Sequence, residues 1–281
     1  ANANGSGYAN FTFQVRDTGS TISGGEVLDA SPNTMTVNVT PVNDAPEGTD
    51  TTVSMLENTQ FTFTAAHFGF SDVNDNPAPD SFAGVMISGL PALGALTLSS
   101  VAVSIGQVVT IADINAGLLQ YTPPLDANGA GYADFTFQVQ DSGGTANFGV
   151  DTDATPNTLT VDVVSVNDAP EGTDTTVTTL EDTDYVFGAA DFGFSDVNDS
   201  PANSLLSVRV TALPVAGMLK LNGAAVTAGQ FVTAADIASG LLVFTPAANA
   251  NGANYANFTF QVQDDGGTAN FGVDLDKSAN T

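Results

Sequence analysis

The segment Val42–Asp50 returns letter for letter as Val166–Asp174, an offset of 166 − 42 = 124 residues. Two identical junctions one domain apart leave a tandem array as the reading of the whole chain. Each copy is rich in carboxylate and amide oxygens, and its Ala-Pro step biases the residue before proline toward an extended backbone. That combination suits a stiff joint between β domains.

A second motif supports the period. Tyr8–Val15 matches Tyr132–Val139 and again Tyr255–Val262; the last offset is 255 − 132 = 123, one residue short. The missing residue falls in the loop after Asp75, where Asn-Pro-Ala-Pro-Asp becomes Ser-Pro-Ala-Asn. On this period 1–46 is the C-terminal part of a repeat, 47–170 a complete repeat, and 171–281 a repeat lacking its last strand. Both ends read as cut from something longer.

Within a repeat the signals are those of strands. Gln60–Thr64, Phe135–Val139 and Thr158–Val163 alternate apolar and polar residues, the period of a half-buried strand. Ala95–Leu98 and Val101–Val103 read as a hairpin, which in the next copy carries Asn222-Gly223 at its turn. One short helix per copy is expected at Thr110–Asp113 and Thr233–Asp236, each opened by a capping-box pattern and closed by Gly117 or Gly240. Many short strands with Gly and Pro punctuation predict an all-β chain of tandem sandwiches joined end to end. Tyr8, Tyr132 and Tyr255, just before the Phe-Thr-Phe strand, stand where a tyrosine corner would be.

Charge narrows the function. Against 31 Asp and Glu stand 4 Lys and Arg, a formal charge of −27. A phosphate backbone needs a basic footprint, so nucleic acid is excluded as a natural partner, and anionic membranes are disfavoured. No apolar run approaches spanning length, so direct membrane insertion by this segment is not expected. So acidic a chain repels itself unless cations collect on it. There is no cysteine, so a secreted chain of this kind needs a staple other than disulfide, and divalent metal is one.

The acids are not scattered. They recur at the junction (Asn43, Asp44; Asn167, Asp168), in the identical segments Phe68–Asp75 and Phe192–Asp199 (Asp72, Asn74, Asp75; Asp196, Asn198, Asp199), after the Phe-Thr-Phe strand (Asp17, Asp141, Asp264), and singly at Glu57 and Glu181. Calcium takes six to eight hard oxygens from such groups. Any one cluster is equally an ordinary turn, since Asp and Asn populate turns by their own hydrogen bonding; recurrence in successive copies is what favours metal.

Val-Asn-Asp-Ala-Pro, Leu-Glu-Asn or Leu-Glu-Asp, Ser-Asp-Val-Asn-Asp and a late Asp-x-Gly-Gly together resemble cadherin-like repeats, and more closely the VCBS-type and cadherin-like repeats of giant bacterial surface adhesins, including the RTX class. The resemblance covers the whole chain. It implies immunoglobulin/cadherin-like Greek-key sandwiches with Ca2+ between successive domains, in an extracellular or cell-surface bacterial adhesin or filament serving cell adhesion or biofilm cohesion. Carried over residue by residue, the joint between repeats one and two would use Asn43, Asp44, Asp72, Asn74, Asp75 and Asp141. The joint between two and three would use Glu57, Asn167, Asp168, Asp196, Asn198, Asp199 and Asp264, and Glu181 would serve a further one. Two departures stand out: the mid-domain acidic motif of animal cadherins has no match here, and Asn at 43, 74, 167 and 198 lowers the ligand charge.

Rival readings carry less. The one histidine, His67, aligns with Asp191 and belongs to no repeated constellation. A carboxylate pair hydrolyses glycosides in principle, but these acids sit in repeated turns and there is no Trp to stack on sugar; no enzyme is expected. A carbohydrate- or ligand-binding module would want exposed aromatics, for which Phe148 and Phe271 are the candidates. A filament subunit whose missing strand comes from an identical chain is a further alternative.

Overall fold

The computed structural model describes residues 3–19, 21–75 and 78–281. The first segment forms an antiparallel hairpin, β1 (Gly5–Phe13) with β2 (Asn33–Val39). Then follow β3 (Thr51–Leu56), β4 (Phe61–Thr62), β5 (Phe82–Gly89), β6 (Ala95–Leu98), β7 (Val101–Ala102), β8 (Val108–Thr110), helix α1 (Ile111–Asn115), β9 (Leu119–Thr122), β10 (Gly129–Asp141) and β11 (Asn157–Val164). The last stretch has β12 (Tyr185–Val186), β13 (Leu205–Ala212), β14 (Met218–Leu221), β15 (Ala224–Ala225), β16 (Phe231–Thr233), helix α2 (Ala234–Ala238), β17 (Leu242–Thr245) and β18 (Thr259–Asp264). The chain is all-β apart from two short helices and a few 3-10 turns.

Contacts divide the chain into two compact units. Unit 1 holds residues 1–55, 59–124 and 130–162; unit 2 holds 56–58, 125–129 and 163–281. Segments 56–58 and 125–129, which the repeat period gives to the preceding copy, therefore pack with the second unit.

Unit 1 has a five-stranded sheet ordered β3-β11-β10-β5-β8 and a four-stranded sheet ordered β4-β9-β6-β7. Alternation puts Phe135, Phe137 and Val139 of β10 and Val85 and Ile87 of β5 into the core, facing Leu96, Leu119 and Tyr121 of the other sheet. Edge-on ring contacts link Phe63 to Phe135 (5.3 Å) and Phe68 to Phe137 (5.0 Å). Side chains of both sheets thus share one sandwich-like core. Unit 2 repeats the plan with sheets β16-β13-β18 and β12-β17-β14-β15 around Phe192, Val208, Leu219, Leu242 and Phe260. Its three-stranded sheet lacks partners corresponding to β11 and β3, because 175–180 forms no strand and none lies beside it among the described residues.

Local sequence accounts for the punctuation. Thr110 and Thr233 cap their helices, each hydroxyl accepting the N–H three residues on (Asp113, 3.2 Å; Asp236, 3.1 Å). Asn222 and Gly223 have φ of 48° and 81°, as a tight two-residue hairpin turn requires. The strand expected over Gln60–Thr64 is only Phe61–Thr62, because Thr64 starts a 3-10 turn, Ala65–Phe68, that drives Phe68 into the core. His67 belongs to that turn: its Nδ1 accepts the Thr64 N–H at 3.1 Å, the place Asp191 fills for Gly188 in unit 2 (2.8 Å). The loop residues Asn76 and Pro77, beside the one-residue deletion, lie outside the described residues. Of the three tyrosines, Tyr255 accepts the upstream Ala247 N–H at 3.3 Å, a corner-like bond.

Candidate metal centre

The oxygen-rich loops converge at one end of the sheet that holds β10 in unit 1 and β18 in unit 2. In unit 1, Asn43 is held by two bonds from its Nδ2, to Asp141 Oδ1 (3.0 Å) and to the Val150 carbonyl (2.7 Å). The Asp44 N–H donates to Asp75 Oδ1 (2.8 Å) and the Asp80 N–H to Asp72 Oδ2 (2.6 Å). Carboxylate oxygens of Asp72, Asp75 and Asp80 lie within 4.8 Å of one another. Gly143 closes the loop after Asp141, donating to Asp141 Oδ1 (2.9 Å). A Cβ there would collide with Asn43 Oδ1, so any other residue would push Asn43 out of place.

Unit 2 repeats each contact. Asn167 Nδ2 donates to Asp264 Oδ1 (3.0 Å) and the Val273 carbonyl (2.9 Å), and the Asn203 N–H donates to Asp196 Oδ2 (2.6 Å). The Asp168 N–H faces the Asp199 carboxylate, 3.1 Å from Oδ2. Gly266 repeats Gly143, with its would-be Cβ 1.8 Å from Asn167 Oδ1. Asn203 stands where unit 1 has Asp80, and its Nδ2 donates to Asn167 Oδ1. A further group joins here: Glu57, Asp168 and Asp199 also bring carboxylate oxygens within 4.8 Å of one another. Glu57 is 1% exposed, held by the Val166 N–H on Oε1 and by Asn128 Nδ2 on Oε2 (2.9 Å). Asp126 sits beside it, exchanging bonds with Asn58 (3.0 and 2.9 Å).

Most of these carboxylates are only half satisfied. Asp72 Oδ1, Asp75 Oδ2 and Asp141 Oδ2 in unit 1, and Asp196 Oδ1, Asp168 Oδ2 and Asp264 Oδ2 in unit 2, are buried without a hydrogen-bond partner, as is Asn43 Oδ1. Buried polar atoms are nearly always paired, so the orphaned oxygens that recur at Asp72 and Asp196 and at Asp141 and Asp264 mark a place for a positive ligand. Electrostatics agree. Burial, with the neighbouring Asp196 and Asp168 charges, pushes the Asp199 carboxyl up to about 6. Burial also raises Asp72, Asp141 and Asp264 above the usual carboxylate range. Asp168 is raised by burial and by Asp126 and Glu57, with Lys277 pulling the other way. Carboxylates gathered out of water resist ionising together unless a cation joins them. These clusters are fit to hold a metal ion. Their donors are carboxylate and amide oxygens, the set hard divalent cations prefer.

The structure thus gathers Asn43, Asp44, Asp72, Asp75 and Asp141 in unit 1, and Glu57, Asn167, Asp168, Asp196, Asp199 and Asp264 in unit 2. Asn74 and Asn198 stand exposed on their loops. Glu181 is exposed too, yet already bonded by Asn251 Nδ2 (2.7 Å) as Glu57 is by Asn128. Sequence reasoning passed over Asp80, Asp126, Asn128 and Asn203. Asp126-Ala-Asn128-Gly129 and its copy Asn249-Ala-Asn251-Gly252 carry the same spaced oxygens as the motifs that were singled out, so the signal was there. Phe148 and Phe271 are 99% and 97% exposed, held at φ of 69° and 72°. No family model and no curated protein matches the chain.

Proposed function

We propose that the chain is a run of calcium-stiffened extender repeats, Greek-key sandwiches of the cadherin-like kind, from a secreted or cell-surface bacterial adhesin or filament. Their work is mechanical: calcium neutralises the gathered acids, removes freedom between successive repeats, and lets the array project a distal binding region for adhesion or biofilm cohesion. The observation that supports this most is the set of orphaned buried carboxylate oxygens, which recur at equivalent positions in both units at Asp72 and Asp196 and at Asp141 and Asp264. In unit 1 the ion would fall to Asp72, Asp75, Asp80, Asp141 and Asn43. In unit 2 it would fall to Asp196, Asp199, Asp264 and Asn167, with Glu57, Asp126 and Asp168 serving a second ion. Glu57, Asp126 and Asp168 belong by sequence to the repeat 47–170 and Asp199, whose carboxylate lies with those of Glu57 and Asp168, to the next, so an ion shared with Asp199 would tie two successive copies of the repeat. Binding to the folded state alone would also stabilise it by mass action.

The test is a thermal melt and a small-angle scattering profile in calcium and then in excess chelator. A large fall in melting temperature with a shorter, more flexible particle on chelation is the expected result; no change in either defeats the reading. The rival, a carbohydrate- or ligand-binding module, is favoured by the exposed rings of Phe148 and Phe271. It requires binding that survives chelation and is lost in the F148A/F271A chain.

A further inference from the structure

The turns that follow Asp153 and Asp276 are tied to the junction by the same bonds in both units. Asp153 is buried and accepts the Gly48 N–H (2.8 Å), the Thr155 N–H (3.0 Å) and Asn157 Nδ2 (2.7 Å). Asp276 is buried and accepts the Gly172 N–H (2.9 Å), the Ser278 N–H (2.8 Å) and Asn280 Nδ2 (2.6 Å). Gly48 and Gly172 belong to the repeated junction itself, and a Cβ on either would collide with the Asn157 or Asn280 amide. Turn and junction therefore pack without slack, and whatever residue follows the buried Asp is held in one place.

That residue differs between the copies. Ala154 of unit 1 becomes Lys277 in unit 2 (277 − 123 = 154). In unit 1, Ala154 lines an open cleft of about 490 Å3 together with Asp44, Glu47, Asn74 and Asp153. The matching turn and bonds set Lys277 at the corresponding place in unit 2, where the counterparts are Asp168, Glu171, Asn198 and Asp276. The Lys277 side chain is exposed, yet its charge reaches the site. It pulls the Asp168 carboxyl down, against burial and the charges of Asp126 and Glu57, which push it up. Asp168 Oδ2 is one of the buried oxygens without a hydrogen-bond partner, and Asp168 shares its cluster with Glu57 and Asp199. The other three basic residues lie elsewhere. Arg16 belongs to unit 1, Arg209 has its guanidinium carbon 5.9 Å from the centre of the Phe231 ring, and Lys220 is on β14.

We propose that Lys277 is a built-in counter-ion of the Glu57, Asp168 and Asp199 group and sets the affinity of that group for a metal ion. This rests on the calcium reading above and adds to it the residue that grades the site. The ammonium supplies part of the positive charge these acids need, so it steadies the fold when no metal is bound. By like charge it opposes the ion when one enters, and its flexible four-carbon stem lets the head swing aside. Unit 1, with Ala154, leaves the same place open to solvent. An exposed ammonium acts through water, so its effect is modest and screened by salt.

Three variants of the full chain test this. Lys277→Met keeps the stem and removes the charge, Lys277→Arg keeps the charge, and Lys220→Met makes the same change in net charge on β14. Each is melted in excess chelator and titrated with calcium against a chelating dye, at low and at high salt. For Lys277→Met the expected results at low salt are a lower melting temperature in chelator and calcium binding at this site about threefold tighter. Both differences should fade at high salt. Lys277→Arg should behave as the parent chain, and Lys220→Met should move neither reading. An unchanged melt in chelator for Lys277→Met overturns the proposal, and so does calcium binding that is unchanged or weaker. An equal response from Lys220→Met also overturns it, because net charge would then be the cause. A parent chain that takes up no calcium defeats the calcium reading itself, and this proposal with it.

Discussion

The backbone N–H of Asp168 points at the carboxylate of Asp199, 3.1 Å from Oδ2, while Oδ2 of Asp168 itself lies buried without a partner. The junction backbone therefore holds one carboxylate in place and leaves another facing it unneutralised. Asp168→Asn keeps the shape and removes the charge. It should weaken calcium binding in unit 2 by about tenfold, since affinity follows ligand charge count. Calorimetric titration measures it, and an unchanged isotherm would show that Asp168 is no ligand.

The two units differ at one position of the cluster, Asp80 against Asn203, whose backbone N–H groups make equivalent bonds to Asp72 and Asp196. Unit 1 should hold its ion more tightly for the extra charge. Asp80→Asn should bring the unit 1 site toward that of unit 2, a loss of about one order of magnitude. Competition with a chelating dye across the two variants checks this, and Asn203→Asp should shift affinity the other way.

Acid should stabilise the cation-free protein over a defined window. Asp199 has a folded pKa of about 6 against an ordinary 3.8, so folding tightens its hold on the proton. That contribution is fully present below about 3.8 and is lost as the pH rises through about 6. Asp72, Asp141, Asp168 and Asp264 shift in the same direction. In chelator the melting temperature should fall across that window as pH rises. In calcium it should rise instead, because the ion needs ionised carboxylates. A pH-independent melt in chelator would contradict the crowding.

The sandwich core is apolar and is expected to contribute its stability with or without the ion. Phe137 is fully buried and packs edge-on against Phe68, so Phe137→Ala should cost about 3–5 kcal/mol. Chemical denaturation should show that loss equally in calcium and in chelator. A loss that appears only with calcium would place Phe137 in the site's support, not in the general core.

The linear chain already contained the repeat, the β character and most of the acids that gather. Strand alternation such as Phe135–Val139, the threonine caps at Thr110 and Thr233, and the Asn222-Gly223 turn are local, and local chemistry decides them. Asp72, Asp75 and Asp141 were legible because they recur in step with the strands that carry them. What stayed hidden depends on which loops meet. Glu57 and Asn128 are 71 positions apart, and nothing in either segment names the other; only packing brings them together and buries the Glu57 carboxylate. The same holds for Asp80, whose value lies in closing a ring with Asp72 and Asp75. Periodicity identifies a strand but not its neighbours, because pairing is settled by which apolar faces must share one core.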